Sequence, residues 1–131
     1  MKSKGEMMSG VQDNILTRRT VYKFTDKDVP DSIINQALLA ASKAPCHKHT
    51  HPWKFYVLGS ETRNNLIPTI RKLAKIKSTK SGSKDLDRDA ERAIKKITQP
   101  PVLIVITSKR SPKDEFREKE DYAATVCALH N

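Results

Sequence analysis

Two neighbouring arginines and a hydroxyl near the start of the chain have the chemistry of a phosphate-binding segment. Arg18, Arg19 and Thr20 are consecutive, and Lys23 follows three positions later. A guanidinium group presents a planar fork of donors that matches phosphate oxygens, and the threonine hydroxyl adds another donor. A solvated basic turn is the alternative, and these residues taken alone favour it.

A second group of candidate residues lies in a loop between a helix and a strand. Ala44-Pro45-Cys46-His47 ends the helix, and Pro52-Trp53 opens the apolar run that follows. Binding residues concentrate in loops that a rigid scaffold holds in place. The alternative is a structural turn, with Trp53 packed in the core.

The same loop carries His47, His49 and His51 at alternate positions, next to Cys46. Imidazole and thiolate are good ligands for zinc or copper, and in an extended loop the three rings would share one face. No carboxylate lies nearby in the sequence to orient the rings. We therefore predict no metal site and keep metal binding as a minor alternative.

The charge distribution raises the possibility of a nucleic-acid partner. The net charge is +10, and the segment from Arg63 to Lys96 alone holds eleven basic and four acidic residues. These basic residues interleave with apolar positions at helical spacing, as on the solvated face of an amphipathic helix. No aromatic residue between Tyr56 and Phe116 offers a stacking platform for bases. We predict no nucleic-acid partner.

Cysteine use and hydropathy indicate a cytoplasmic protein. Cys46 and Cys127 form no CxxC motif and are predicted to be reduced. The N-terminus lacks the apolar segment of a signal peptide, and no apolar run approaches the roughly 20 residues that span a bilayer. We therefore predict no membrane contact.

Periodicity predicts one α+β domain over residues 11–131, after a flexible tail at residues 1–10. The predicted elements are a short helix at 11–19, an extended connector at 20–30, a long helix at 31–44, a strand at 53–59, a helix from 60, a flexible linker at 77–84, a helix from 85, a strand at 102–107 and a final helix from 115.

Three further expectations concern the last part of the chain. The apolar run at 102–107 (VLIVIT) is typical of a strand buried on both faces. In the final helix, Phe116, Val126 and Cys127 keep helical spacing, which places Cys127 in the core. No stop signal precedes Asn131, so we expect the sequence to end before its fold does.

Taken together and in order, these motifs resemble the nitroreductase family, in particular its subgroup with a histidine two residues after Ala-Pro. The resemblance covers the chain from about Asn14 to Asn131. Its motifs are Arg18-Arg19-Thr20 with Phe24, Val29-Pro30 before the long helix, Ala44-Pro45-Cys46-His47, Pro52-Trp53, the run PPVLIVI at 100–106, and Asp121-Tyr122-Ala123-Ala124. The resemblance implies a nitroreductase-like α+β fold, a central sheet flanked by helices.

By the same resemblance, the working unit would be a homodimer with FMN at the subunit interface. Arg18, Arg19 and Thr20 would hold the phosphate and ribityl chain, and Lys43 and His47 would lie beside the flavin ring. Pro45 and Cys46 would shape the pocket wall. The expected activity is transfer of hydride from NAD(P)H, through the flavin, to a nitroaromatic, quinone or related small acceptor, without a side-chain nucleophile.

Two departures from the family pattern leave an alternative open. Tyr22 occupies the position where the family often has another arginine, with Lys23 beside it. The later family segments, which supply a further strand, a glycine-rich stretch, another arginine and a tail that crosses to the partner subunit, are absent from these 131 residues. The alternative function is therefore a truncated, non-catalytic remnant of a flavin fold.

Overall fold

The computed structural model describes residues 10–131, which form five α-helices and two β-strands. In chain order they are α1 (Gly10–Thr17), α2 (Asp31–Ser42), β1 (Trp53–Val57), α3 (Ser60–Lys80), α4 (Leu86–Thr98), β2 (Ile104–Ser108) and α5 (Glu115–His130), with a single 3-10 turn at His47–His49. This is the predicted α+β class. Residues 1–9 of the predicted tail lie outside the described residues, and Gly10 already belongs to α1.

The long predicted helix is confirmed, and prolines set both of its ends. Pro30 precedes the first residue of α2, and the N–H groups of Ile33 and Ile34 bond to its carbonyl. At the other end, the Lys43 N–H bonds to carbonyls of the last turn. Pro45 has no N–H to continue the ladder, so the helix ends two residues before the predicted limit.

The sheet consists of β1 and β2, which pair antiparallel. Phe55 lies opposite Ile106 in the register, and both pack against the core from the inner face of the sheet. The prediction that the second strand is buried on both faces is wrong. Val105 faces away from Ile106 and is 39% exposed, because α5 packs on the inner face of the sheet and none of the other described helices covers the outer face. Ile104, at the end of the strand on the inner face, is 37% exposed.

The core is a small cluster formed where α5 meets the start of β1. Trp53 packs with Ala44, Ala124 and Ala128, and Ala128 is only 2% exposed. The buried face of α5 is therefore formed by small and polar residues. Cys127 lies about 100° around the helix from Ala128 and is exposed, so the prediction that it belongs to the core is wrong.

The helices α3 and α4 form a helical hairpin, and they pack mainly against each other. The predicted linker at 77–84 is half wrong, because α3 continues to Lys80 before the turn at Gly82, whose φ is +71°. Ion pairs bridge the two helices, from Arg71 to Glu91 and from Lys75 to Asp87, each at 2.6 Å. None of the helices in residues 10–131 is both long and apolar enough to cross a bilayer.

The start of α4 gives a first prediction. Asp85 caps this helix, since its Oδ1 accepts a hydrogen bond from the Arg88 backbone N–H at 2.9 Å. Asp85→Ala leaves that donor without its cap and should lower the free energy of unfolding by about 1 kcal/mol. Asp85→Asn keeps a capping oxygen and should stay close to the original value. Urea denaturation measures both, and equal losses in the two variants would show that the cap contributes nothing.

The hairpin should also weaken in acid. The hydrogen bond and charge of Lys75 lower the pKa of Asp87 below its ordinary 3.8, and the hydroxyls of Ser83 and Ser78 lower the pKa of Asp89. A carboxylate with a lowered pKa in the folded state contributes stability above about pH 3.8, and this is lost as the pH falls through the folded value.

We therefore expect the double variant Asp87→Asn with Asp89→Asn to flatten the dependence of unfolding free energy on pH below pH 4. The matched control is Asp26→Asn with Asp28→Asn, two exposed aspartates that form no ion pair with any of residues 10–131. Denaturation at a series of pH values makes the measurement. An acid dependence that is the same in both double variants would contradict the assignment.

Candidate functional site

The histidine loop, residues 46–51, joins α2 to β1 and has an unusual backbone. Lys48, His49 and His51 all have φ between 42° and 51°, the left-handed region that residues with side chains rarely adopt. Each such residue costs roughly 1–2 kcal/mol relative to the right-handed region. Inside the loop, the Thr50 N–H reaches the His47 carbonyl at 3.3 Å. A loop of this shape therefore depends on contacts from elsewhere in the fold.

Those contacts come from two consecutive carboxylates on α5. The Nδ1 atom of His47 lies 2.9 Å and 2.8 Å from the two carboxylate oxygens of Glu120. The Thr50 hydroxyl donates to Asp121 Oδ1 at 2.7 Å. These residues are more than 70 positions apart in sequence, and the packing of α5 against Trp53 brings them together.

Asp121 is buried, and its second oxygen has no hydrogen-bond partner in residues 10–131. The nearest cation is the Arg117 guanidinium, whose Nε lies 3.9 Å from Asp121 Oδ2. A buried carboxylate oxygen without a donor is costly. A small polar cavity of about 130 Å³ lies next to Asp121, and His47 and Thr50 also contribute to its wall.

The extended geometry considered for a metal site does not occur. The ring of His47 bonds to Glu120, whereas the rings of His49 and His51 lie 6.1 Å apart and His51 packs edge-on against Trp53. Cys46 Sγ lies 3.8 Å from His51 Nδ1, a contact of two groups only. Within the described part of the chain, no three His, Cys, Asp or Glu side chains form a group that could hold a metal ion.

A shallow groove runs between the histidine loop and α5. It encloses about 330 Å³, and its lining residues are Pro45, Cys46, His47, Glu120, Ala123, Ala124 and Cys127. Apolar side chains therefore form most of the walls, while a histidine and a carboxylate supply polar groups at one side. Because the groove is widely open to solvent, it offers an apolar wall on one side of a bound molecule, with polar groups at one edge.

The remaining predicted site residues are exposed but are not joined to this groove. Arg18, Arg19 and Thr20 follow the end of α1, and Arg19 Nη1 donates to the Leu16 and Arg18 carbonyls. Lys43 caps the C-terminal end of α2 with its backbone N–H, where its positive charge suits the helix dipole. Among residues 10–131, no hydrogen bond or ion pair connects Arg18, Arg19 or Thr20 to Lys43 or His47.

The family model that matches this chain is that of the nitroreductase family, over residues 15–131. The chain belongs to the nitroreductase family. Among curated proteins, it is 31% identical over 124 residues to the Bacillus subtilis protein YfhC, which is named as an NAD(P)H nitroreductase. That match covers 94% of this chain and 61% of YfhC, so the chain spans less than two thirds of this nitroreductase relative.

Solved structures agree with the nitroreductase fold. A nitroreductase-like family protein from Bacillus cereus superposes with a TM-score of 0.73 at 25% identity, over 97% of this chain and 64% of that chain. A nitroreductase from Bacteroides fragilis, solved with bound FMN, superposes with a TM-score of 0.67 at 22% identity. It is matched over 94% of this chain and 62% of its own. The expected fold is therefore confirmed for the described residues.

Sequence reasoning missed the two carboxylates that hold the histidine loop. Glu120 and Asp121 were not assigned a role, and a carboxylate partner for the histidines was judged absent because none lies nearby in the sequence. The nitroreductase motif Asp121-Tyr122-Ala123-Ala124 already contained one of them. No spacing signal identifies their contacts with the loop, because these contacts depend on how α5 packs against Trp53.

Proposed function

We propose that this chain forms part of an FMN-dependent oxidoreductase, in which NAD(P)H reduces the flavin and a nitroaromatic, quinone or related small molecule is the acceptor. The observation that carries this proposal is the apolar groove beside His47, at the position which the family resemblance assigns to the flavin ring. Membership of the nitroreductase family supports the same reading, as does the FMN bound to the relative from Bacteroides fragilis.

The chemistry of the available donors fits FMN. Arg18 and Arg19 offer guanidinium groups, and Thr20 offers a hydroxyl, in an exposed segment where a phosphate can approach. Lys43 and His47 would lie beside the ring and adjust its electronic properties through charge and hydrogen bonding. When bound, FMN would supply the hydride-accepting and hydride-donating chemistry. The residues of this chain would bind it, orient it and exclude water.

A homodimer would bring the two parts of the site together. The phosphate-binding segment and the groove are not connected within the described single chain. The segment from α1 to Phe24 also exposes several large apolar side chains, namely Val11, Ile15, Leu16, Val21, Tyr22 and Phe24. Burial of such a surface against a second copy would be favourable, at roughly 25 cal/mol per Å² of apolar area. We therefore propose that the arginines of one subunit serve the flavin that lies against the groove of the other.

The alternative is a non-catalytic family member that retains the fold. The separation of Arg18–Thr20 from the groove favours this non-catalytic alternative for the isolated chain, because neither the arginine segment nor the groove alone encloses a flavin. This alternative differs from the enzyme in a measurable way, since it requires no stoichiometric uptake of FMN and no reduction by a nicotinamide.

The central experiment is titration of the purified 131-residue protein with FMN. We expect saturable quenching of flavin fluorescence at one FMN per chain, a dimer mass by light scattering, and bleaching of the bound flavin by NADPH or NADH without oxygen. A folded protein that takes up no FMN would establish the non-catalytic alternative. If FMN binds but is not bleached, FMN stands as the cofactor, and the proposal that a nicotinamide reduces it is rejected.

The phosphate assignment has a test of its own. Arg18→Gln with Arg19→Gln removes two charge-assisted bonds to phosphate, each worth about 1.5–3 kcal/mol, so the affinity for FMN should fall by at least tenfold. Riboflavin lacks the phosphate, and its affinity should not change. The matched control is Lys72→Gln with Lys95→Gln, which removes the same charge from exposed positions of the hairpin. Equal losses for FMN and riboflavin would contradict the assignment.

A further inference from the structure

The strained histidine loop needs an external restraint, and α5 supplies one at each end of the turn. Three residues of the loop have positive φ. Strain of this kind persists only where the surroundings over-determine the backbone. The restraints are the side-chain contacts of His47 with Glu120 and of Thr50 with Asp121, which lie on either side of the left-handed residues Lys48 and His49.

The two contacts differ in character. Asp121 is buried, with its side chain 3% exposed, and it holds the Thr50 hydroxyl in a fixed direction. Glu120 and His47 are partly exposed, at 33% and 53%, so their ion pair adds little to the stability of the fold. The exposed contact therefore acts mainly by orienting the imidazole ring of His47. It selects one rotation of the imidazole and directs one of its nitrogens.

The chemistry of the partner decides which nitrogen carries the proton. An ionised carboxylate only accepts hydrogen bonds, so Nδ1 of His47 must be the donor to Glu120. In the neutral imidazole, the second nitrogen, Nε2, is then an acceptor, and it points away from Glu120. A neutral imidazole without such a partner is free to adopt either tautomer.

We propose that Glu120 and Asp121 are positioning residues for the histidine loop, and that Glu120 fixes His47 as its Nδ1–H tautomer and leaves Nε2 for a ligand in the adjacent groove. The identity of that ligand as a flavin rests on the proposed function. The tautomer and the loop restraint do not depend on it, so they can be tested without a cofactor.

The decisive measurement is a long-range ¹H–¹⁵N correlation spectrum of the full chain labelled in its four histidines. At about pH 9, well above the ordinary range for histidine protonation, we expect His47 to show a protonated Nδ1 and an unprotonated Nε2. His130, on the exposed last turn of α5, serves as the internal reference. His47→Gln assigns the signal.

In Glu120→Gln, the side-chain amide can donate as well as accept, so it no longer requires the proton on Nδ1. We expect the His47 signals to move towards those of the Nε2–H form. Glu115→Gln is the matched control, because Glu115 lies on the same helix in an exposed ion pair with Lys119. A His47 tautomer that is the same in the original chain and in Glu120→Gln would overturn the proposal.

The buried contact is tested with an isosteric change. Thr50→Val removes the hydroxyl donor to Asp121, and hydrogen exchange of the backbone amide at position 50, which bonds to the His47 carbonyl, should then accelerate at least fivefold. Thr50→Ser restores a hydroxyl and should restore slow exchange. If Thr50→Val unfolds the chain, Thr50→Ser with exchange close to the original still supports the restraint. Fast exchange in the folded Thr50→Ser variant would contradict it.

The connection to the ligand is tested separately, by FMN affinity in Glu120→Gln and Glu115→Gln. A selective loss in Glu120→Gln, at an unchanged melting temperature, supports a ligand at Nε2. If the original chain binds no FMN, the proposed function fails while the tautomer result stands. If the chain binds FMN and Glu120→Gln binds it equally well, the positioning of His47 towards that ligand is refuted.

Discussion

The close approach of α5 to the start of β1 is the contact on which the rest of the structure depends. Ala124 and Ala128 present almost no side chain, so the backbone of the helix can lie directly against Trp53. The same helical stripe continues one turn towards the N-terminus into Glu120 and Asp121, because residues four apart share a face. A larger side chain at either alanine would push the helix outward. The two carboxylates would then lose their hold on the histidine loop.

Local signals in the sequence determined most of the secondary structure but not its burial. Pro30 and the cap at Asp85 set the starts of α2 and α4 where they were expected, and Pro45 stops α2 two residues before the predicted limit, since each acts on its own backbone neighbours. Which face of each helix or strand is buried was harder to predict. Cys127 and the outer side of β2 are apolar and yet exposed, because burial depends on which element packs against each face. Periodicity shows that a stripe exists and leaves its partner undetermined.

In the candidate site, the positions of the residues follow from local sequence signals, whereas the contacts that orient them do not. The predicted residues Lys43 and His47 lie at the end of α2 and in the loop that follows, positions that the helix boundary alone fixes. The contacts that give His47 a direction come from residues 73 positions later in the chain. They could not be read from spacing, because they depend on the tertiary packing of α5. Arg18 and Arg19 remain predictions as phosphate ligands, since the described chain does not bring them to the groove.

The charge of the hairpin and the charge of the site have different physical roles. In the hairpin of α3 and α4, four acidic residues at the start of α4 pair with basic residues of the same hairpin: Asp85, Asp87, Asp89 and Glu91. These pairs are exposed and screened by salt, so they tune stability only modestly.

Under the histidine loop, Asp121 is buried and only partly satisfied. An apolar residue there would avoid the desolvation cost, but it could not hold the Thr50 hydroxyl in one direction. The buried carboxylate therefore lowers the stability of the fold but fixes the position of Thr50. The strained loop above it retains one shape because both of its ends are held.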